Sequence, residues 1–329
     1  MDATGARLLC IIVPCFDEEQ VVEATHAELK RVLDALPRWR HLIYFVDDGS
    51  RDATLLRLRA LERRDECTRV LSLSRNFGHQ IAITAGLDHA DRRADAVLVM
   101  DADLENPPSL IPRLIEQLER GHDVVMGVRE TGRVVGWWRR SLSRAFYALF
   151  NRVSQVSIAS GAPDFFLLSR RAREALGRMG DQRRFLRAMV AWIGLPRTHV
   201  PYVPPARLAG QSKYTLGRML RLAADAIFAF SSAPLLAVGV LGSATFLVGA
   251  ALLTWSALST QLSFLPGLLC LLAGLQLSAI ALVGAYVGRI FEHSQGRPLY
   301  IVREASEDSA SEPRILDVGQ RSARRARGQ

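Results

Sequence analysis

The chain lacks charge over one long stretch, residues 226–288, where 63 consecutive residues include no Asp, Glu, Lys or Arg. A membrane-spanning helix needs about 20 apolar residues, so the stretch is too long for one span and fits two. We predict spans at about 234–256 and 265–288, separated by the polar residues near 259–263. The alternative is a pair of helices buried in the core of a soluble domain.

Cysteine is scarce as well, with four residues, Cys10, Cys15, Cys67 and Cys270, and no C-x-x-C pair. This spacing excludes the usual zinc sites and indicates reduced thiols in a cytosolic setting. A secretory leader is not expected, because the apolar run at 8–13 has only six residues and is followed by acid. We predict that this run is a strand.

Basic residues on both sides of the uncharged stretch predict its orientation. The loop 256–266 carries no charge, whereas Arg218 and Arg221 precede the spans and Arg289 and Arg297 follow them. The positive-inside rule then places the N-terminal half and both termini in the cytoplasm, as in a multi-pass inner-membrane protein. The net charge of +9 favours anionic lipid head groups and phosphates as partners. Nucleic acid is not expected, because the sequence has no aromatic-basic recognition motif.

The N-terminal half alternates short apolar runs with helical patterns. We predict strands at 8–13, 42–46, 70–73, 96–100 and 124–128, and helices near 18–36, 52–64, 79–90 and 108–120. Such alternation is typical of an α/β fold with a parallel sheet and helices on both faces. Ligands of these sheets bind at the carboxyl ends of the strands, and here three of those ends are acidic.

Changes in composition divide the chain into four predicted parts. These are an α/β domain at 1–210, an amphipathic helix at 211–232, the two spans within 233–290 and a tail at 291–329 that is disordered from about 304. Inside the first part, residues 133–155 have aromatic and basic side chains at helical spacing. Beside a membrane hairpin we expect an interfacial helix there, the alternative being a surface helix packed on the sheet.

Two aspartates, Asp101 and Asp103, follow the fourth predicted strand. Carboxylates at i and i+2 on an extended tip can both turn toward one hard divalent cation. Mg²⁺ and Mn²⁺ prefer oxygen ligands and can bridge to substrate phosphates. The pattern indicates a metal-bound diphosphate, with an acidic turn that closes the strand as the alternative.

The acidic residues after the first two strands can be interpreted in two ways. Pro14 is expected to end the first strand, and Asp17 after it can cap the next helix. Asp47 and Asp48, at the end of the second strand, precede Gly49, which allows a tight turn. Helix capping and contact with a nucleotide base or ribose both explain such residues.

Seven motifs in a fixed order carry a family resemblance. They are V-P-C-F-D-E-E, F-V-D-D-G-S-R-D-A-T, L-S-R-N-F-G-H-Q, A-G-L-D-H-A, M-D-A-D-L-E-N-P-P, R-L-A-G-Q-S-K-Y and R-P-L-Y-I-V. Together they resemble the polyprenyl-phosphate glycosyltransferases, the family-2 GT-A group that includes dolichol-phosphate mannosyltransferases and bactoprenol glucosyltransferases. The resemblance covers roughly residues 8 to 303.

The resemblance implies a GT-A fold and inverting transfer of a sugar from a nucleotide-sugar to a membrane polyprenyl phosphate, with Mg²⁺ or Mn²⁺. UDP-glucose and undecaprenyl phosphate are the expected substrates, with GDP-mannose, UDP-GlcNAc and aminosugar donors left open. It also suggests a homo-oligomer, plausibly a tetramer. Two other functions are weighed: a processive polysaccharide synthase, whose Q-x-x-R-W signature residues 182–185 do not match, and an inactive membrane scaffold.

The resemblance also assigns roles to individual residues. Those implied to hold the nucleotide-sugar are Pro14, Phe16, Asp17, Glu19, Asp47, Asp48, Asp101, Arg207 and Lys213. Those implied at the metal are Asp101, Asp103 and Glu105, and those at the acceptor phosphate are Arg129, Arg139, Arg140 and Ser143. Asp103 and Asp164 are implied to be catalytic.

Asp164 falls where the family carries its D-F-R segment, and its role is open. A phosphate monoester has a second pKa of about 6, so the acceptor is mostly deprotonated at pH 7 and hardly needs a base. Asp164 then acts as a base, orients an arginine or is a turn residue. The chain departs from the family at Glu105, where Gln is commoner, at Phe166, which replaces an Arg, and at Pro204 and Pro205, in a place that is often basic.

Overall fold

The structure is a computed structural model that describes residues 6–130, 164–182, 184–203, 233–258 and 265–306. Its strands are β1 (Arg7–Cys15), β2 (Trp39–Asp47), β3 (Thr68–Leu73), β4 (Ala96–Val99), β5 (Val124–Arg129), β6 (Phe166–Ser169), β7 (Arg197–Tyr202) and β8 (Val302–Ala305). Its helices are α1 (Val22–Leu33), α2 (Thr54–Arg64), α3 (His79–His89), α4 (Ile111–Glu119), α5 (Arg170–Gly177), α6 (Leu186–Trp192), α7 (Ala233–Leu258) and α8 (Leu265–Ser294).

The strands form one eight-stranded sheet in the order β7-β5-β6-β4-β1-β2-β3-β8. All five predicted strands are present. The expected all-parallel sheet is wrong, because β6 runs antiparallel to both β4 and β5, and β8 runs antiparallel to β3. The sheet is therefore mixed, with a parallel centre of β4, β1, β2 and β3.

The side chains of the central strands alternate between two hydrophobic clusters, as a strand's period of two requires. Leu9 and Ile11 of β1 belong to the cluster that α1, α2 and α4 cover, and Cys10 and Ile12 belong to the one that α3, α5 and α6 cover. The predicted helices on both faces are confirmed. At Gly86 of α3, a β-carbon would lie 2.3 Å from Ile12 Cγ2, so glycine lets this helix lie close on the sheet.

Three strands escaped the sequence prediction for separate reasons. β6 has only four residues, β7 contains Pro201, and β8 is the polar sequence V-R-E-A on the edge of the sheet. β8 continues through Ala305, and the predicted disordered tail lies outside the described residues from 307 onward. The prediction that Pro14 ends β1 is wrong, since the strand pairs with β2 through Cys15.

Helices α7 and α8 coincide with the two predicted spans and contact each other. Large apolar side chains such as Leu241, Leu247, Leu277 and Ile280 are exposed on them. Within the described part of the chain, one helical segment, Leu272–Ser294, is long and apolar enough to cross a membrane, and Val238–Gly249 is a shorter apolar segment. The predicted crossing by two helices is therefore not confirmed, since one described segment has the required length and hydropathy.

Several predictions fall outside the described residues. These are the interfacial helix at 133–155, the amphipathic helix at 211–232, the tail beyond 306, and the site residues Arg139, Arg140, Ser143, Arg207 and Lys213.

Candidate functional site

The carboxyl ends of β1, β2 and β4 meet the beginning of β6 at one edge of the sheet. β1 lies between β2 and β4 and parallel to both, while β6 runs antiparallel beside β4 with Val99 paired to Phe166. Because β6 runs in the opposite direction, Asp164 just before it lies at the same edge as Asp101 just after β4. The sheet thus brings together two carboxylates that are far apart in the sequence.

Asp101 is a partly accessible carboxylate that is held on both oxygens. Asn106 Nδ2 donates a hydrogen bond of 3.1 Å to its Oδ2, and His79 Nε2 lies 3.4 Å from its Oδ1. The side chain is 28% exposed. Desolvation by the surrounding protein raises the pKa of Asp101, and the nearby His79 ring opposes that rise. These two contacts orient the Asp101 carboxylate.

His79, the first residue of α3, was not singled out in the sequence. Its Nε2 lies 3.4 Å from Asp164 Oδ2 as well as from Asp101 Oδ1, so the ring bridges the two carboxylates. Desolvation alone would lower the pKa of His79, but Asp164 and then Asp101 outweigh it and raise that pKa above its ordinary value. The available signal for this residue was its place in L-S-R-N-F-G-H-Q, which precedes a predicted helix.

Asp164 is buried and fully engaged in polar contacts. Arg187 donates to both carboxylate oxygens, from Nε at 2.8 Å and from Nη2 at 3.1 Å, and Gln80 Nε2 donates to Oδ2 at 2.7 Å. Burial would raise the pKa of Asp164, but the charge of Arg187 and the contact with His79 outweigh it and hold this pKa well below its usual range. A carboxylate with such partners is a poor proton acceptor, so the geometry favours the role of anchor over that of base.

A buried polar network joins Asp101 to Arg129 at the end of β5. Asn106, whose amide binds Asp101, accepts a hydrogen bond of 2.7 Å from Tyr202 Oη, and that hydroxyl accepts one of 3.1 Å from Arg129 Nε. Arg129 Nη1 also forms an ion pair of 2.6 Å with Glu105 Oε2. The structure thus connects a predicted metal ligand to a predicted acceptor arginine.

Glu105 is part of this network through its pair with Arg129, and its predicted contact with a metal stays a prediction. Its side chain is 10% exposed and is paired with Arg129. Asp103 is partly exposed, and its Oδ1 accepts a hydrogen bond of 3.0 Å from Glu105 N, which orders the turn. In the described part of the chain, no group of three or more His, Cys, Asp or Glu side chains is arranged to hold a metal. Asp101 and Asp103 remain as the oxygen donors that suit a hard cation completed by water and phosphate.

The loop after β1 is tied to the turn after β2 through its acidic residues. Asp17 has a φ of 53°, in the left-handed region, and its Oδ1 accepts a hydrogen bond of 2.8 Å from Arg51 N. Glu19 Oε2 accepts one of 3.0 Å from Ala53 N. The expected capping of the next helix by Asp17 is wrong, because Val21 is the N-cap of α1 and no side chain caps that end. These carboxylates shape the loop at the end of β1. Phe16 in this loop is half-buried, and Pro14 is buried in β1.

Asp47 is buried at the end of β2 and has internal partners on both oxygens. Its Oδ1 accepts a hydrogen bond of 3.1 Å from Ser50 N, and its Oδ2 accepts one of 3.0 Å from Ser72 Oγ. The carboxylate thereby links the ends of β2 and β3. Contact with a nucleoside through Asp17, Glu19 or Asp47 stays a prediction.

Asp48 holds the loop that leads into α3. Its two oxygens accept hydrogen bonds from Phe77 N at 2.7 Å and Gly78 N at 2.9 Å. The next residue, Gly49, has a φ of +70°, and a β-carbon there would lie 2.5 Å from the backbone carbon of Arg75. The two loops are packed backbone to backbone, which places His79 at the start of α3. Asp48 is 3% exposed, and its predicted contact with the nucleotide-sugar stays a prediction.

The known proteins that are similar to this chain include glycosyltransferases. Residues 10–177 match glycosyl transferase family 2. A Bacillus subtilis protein named uncharacterized glycosyltransferase YkcC is 37% identical over 303 residues, which cover 90% of this chain and 93% of that protein. The bactoprenol glucosyl transferase of Shigella phage SfV is 33% identical over 91% of this chain and 99% of its own length. Among solved structures, the mannosyltransferase PcManGT of Pyrobaculum calidifontis has a TM-score of 0.47 at 18% identity, covering 88% of this chain and 85% of its own.

Proposed function

Because the chain belongs to glycosyltransferase family 2, and is therefore a glycosyltransferase with a GT-A fold, we propose that it transfers a sugar from a nucleotide-sugar to a polyprenyl phosphate. The observation that carries this proposal is the acidic sheet edge, where the partly exposed Asp101 lies between His79 and Asn106. The similarity to a bactoprenol glucosyl transferase over nearly the whole length of both chains supports a lipid acceptor.

The donor diphosphate belongs, in this proposal, beside Asp101 and Asp103. Two carboxylates at a strand end suit Mg²⁺ or Mn²⁺, which is commonly bound by one or two carboxylates together with substrate phosphates. Such an ion would neutralise the charge that builds on the departing nucleoside diphosphate. Glu105 is left out of the ligand set because Arg129 engages it. UDP-glucose is the donor that we propose, with the nucleoside near the loops after β1 and β2.

The acceptor phosphate belongs near Arg129. This guanidinium is 29% exposed, so part of it can meet a ligand while Glu105 and Tyr202 hold the rest. Arginine suits a phosphate because its planar fork offers two parallel hydrogen bonds. The acceptor is already ionised near pH 7, since its second pKa is about 6. The low pKa of Asp164 is consistent with a reaction that needs no protein base.

We further propose two membrane crossings, with the catalytic domain on the cytoplasmic face, as the basic residues on both flanks favour. β7 precedes the helix pair and β8 follows it, and both strands belong to the same sheet. A chain that leaves a domain and returns to it crosses a membrane an even number of times. If α8 crosses, a second segment must therefore cross too, and α7 is the apolar helix beside it.

Labelling of single cysteines in membrane vesicles would test this topology. In a variant without the native cysteines, Thr260→Cys between the two helices should react with an impermeant maleimide in right-side-out vesicles. Arg297→Cys, after α8, should react in inverted vesicles instead. Reaction of both positions from the same side would contradict the two crossings.

A transfer assay tests the function itself. The purified protein, undecaprenyl phosphate and Mg²⁺ or Mn²⁺ would be incubated with labelled UDP-glucose, UDP-GlcNAc, an aminosugar nucleotide and GDP-mannose. We expect a lipid-linked sugar from UDP-glucose at a rate at least about tenfold above the other donors, the range that pocket contacts provide. Product from another donor would correct the sugar, and no product from any donor would favour an inactive scaffold.

A further inference from the structure

The R-P-L-Y-I-V motif at 297–302 follows α8 and returns the chain to the catalytic sheet, and the proposed reaction gives it no role. Its last residue begins β8, which pairs with β3 in the register Leu71↔Ala305 and Leu73↔Val302. Ser306, just after β8, accepts a hydrogen bond of 2.8 Å from Val70 N. We call residues 300–306 the return segment. It is paired with β3, which leads through residues 74–78 to His79 at the start of α3.

The return segment holds the beginning of that loop. Ser74, the first residue after β3, donates its backbone N–H to Ile301 O at 2.9 Å. Residues 74–78 connect β3 to α3, and Asp48 accepts hydrogen bonds from the last two of them. The loop is therefore fixed at its start by the return segment and at its end by Asp48, the residue after β2.

The return segment also holds the end of α3. Tyr300 Oη donates a hydrogen bond of 3.1 Å to Asp88 Oδ2, and its ring packs against His89 with a centroid distance of 5.9 Å. Asp88 and His89 form the last turn of α3, whose first residue is His79. Two adjacent residues, Tyr300 and Ile301, thus contact both ends of the stretch 74–89.

The stretch between these two contacts supplies the residues that meet the acidic centre. His79 Nε2 lies 3.4 Å from oxygens of Asp101 and of Asp164. Gln80 donates to Asp164 at 2.7 Å and accepts from Leu186 N at 3.0 Å. A shift of α3 along its axis would move both side chains relative to Asp101. Since reacting groups must be held to within a fraction of an ångström, such a shift reduces the rate.

We propose that the return segment positions the catalytic centre through α3, with Tyr300 as the positioning residue that fixes the far end of the helix. The inference rests on the proposed function, because the reaction whose rate it governs is sugar transfer. It also gives the end of α8 a mechanical connection to the active site. A change in the helix pair on binding a lipid acceptor would reach His79 through five residues, 295–299, and the return segment.

The test is a double-mutant cycle in the full-length protein. Tyr300→Phe removes the hydroxyl and keeps the ring, and Asp88→Ala removes the acceptor. Arg303→Ala is the matched control, because Arg303 lies in the same segment with a side chain 63% exposed. Two quantities would be measured: kcat and KM for transfer, and hydrogen exchange of the amides in residues 74–89 without any substrate.

For Tyr300→Phe we expect about tenfold faster exchange in 74–89, the scale of one lost hydrogen bond, and a comparable fall in kcat with little change in the donor KM. The double variant should match the single variants, because they remove one contact. The control should behave as wild type. Wild-type exchange in Tyr300→Phe, or wild-type kcat despite faster exchange, would overturn the inference.

The two measurements, sugar transfer and hydrogen exchange, distinguish a failure of this inference from a failure of the proposed function. If the wild-type protein transferred no sugar to any acceptor, the proposed function would fail, and the exchange measurement would still decide whether Tyr300 holds α3. If transfer occurred and exchange in 74–89 did not respond to Tyr300→Phe, the function would stand and the positioning role would be wrong.

Discussion

Replacing Asp103 by asparagine is expected to lower kcat/KM for sugar transfer by about a thousandfold. A divalent ion contributes several kcal/mol to the charge developing on a leaving diphosphate, and each 1.36 kcal/mol is a factor of ten in rate. Asparagine keeps an oxygen that can accept the hydrogen bond from Glu105 N, which is 3.0 Å long in the wild type. The turn should therefore persist while the negative charge at the ion is lost.

Two quantities would be measured, turnover and the affinity for Mn²⁺. Electron paramagnetic resonance in the presence of UDP would report the Mn²⁺ affinity. Asp34→Asn is the matched control, because Asp34 is 58% exposed and lies at the end of α1. Asp103→Asn should weaken Mn²⁺ binding at least about tenfold, whereas the control should leave it unchanged. Retention of both Mn²⁺ affinity and turnover in Asp103→Asn would remove Asp103 from the metal site.

Replacing Asp164 by asparagine is expected to destabilise the fold by about 3 kcal/mol, because breaking a buried ion pair leaves its partner uncompensated. The partner is Arg187, which donates to both oxygens of Asp164. Turnover should fall in parallel, since His79 and Gln80 lose the carboxylate that they contact. Urea unfolding and kcat would be measured on the same preparations. The double variant Asp164→Asn/Arg187→Gln should recover part of the lost stability, because it leaves no unpaired charge.

The pH dependence separates an anchor from a base. The folded-state pKa of Asp164 is depressed, so its stabilisation is fully present above the unfolded pKa of about 4 and is lost as pH falls through the lower folded value. Asp164 is then ionised from pH 5 to 8 and contributes no limb to the rate profile there. Asp164→Asn could instead keep wild-type stability, lose turnover by more than about a thousandfold and lose an acidic limb of the pH–rate profile. That result would restore Asp164 as the base.

The central strands were predictable because a strand buried on both faces reads as an apolar run. β4, the run before Asp101, is the clearest case, and the two core clusters that it joins follow from the same pattern. β6 was missed because it has only four residues, and β8 because it is a polar strand on the edge of the sheet. Without β6, the proximity of Asp164 to Asp101 could not be derived, and the family resemblance supplied only a role for Asp164.

The roles of individual carboxylates were harder to predict than their location. Asp48 and Glu105 stand at strand ends, as expected of ligand-binding residues. In the structure, Asp48 binds two backbone amides and Glu105 binds Arg129. A buried carboxylate needs partners to offset its desolvation, and a sequence does not show whether those partners are protein groups or ligand groups. His79 was missed for the related reason that its partners, Asp101 and Asp164, lie next to two strands that are distant from it in the sequence.

The antiparallel strand β8 has a practical consequence for work with soluble fragments of this enzyme. β3 would otherwise be the outer strand of the sheet, with a row of unpaired amides and carbonyls that invites association between molecules. A fragment cut before α7 loses β8 together with the membrane helices and uncovers that row. Aggregation of such a fragment would then report the missing strand rather than a poorly folded domain. A shortened protein meant for crystallisation should carry residues 300–306 on a flexible linker after β7.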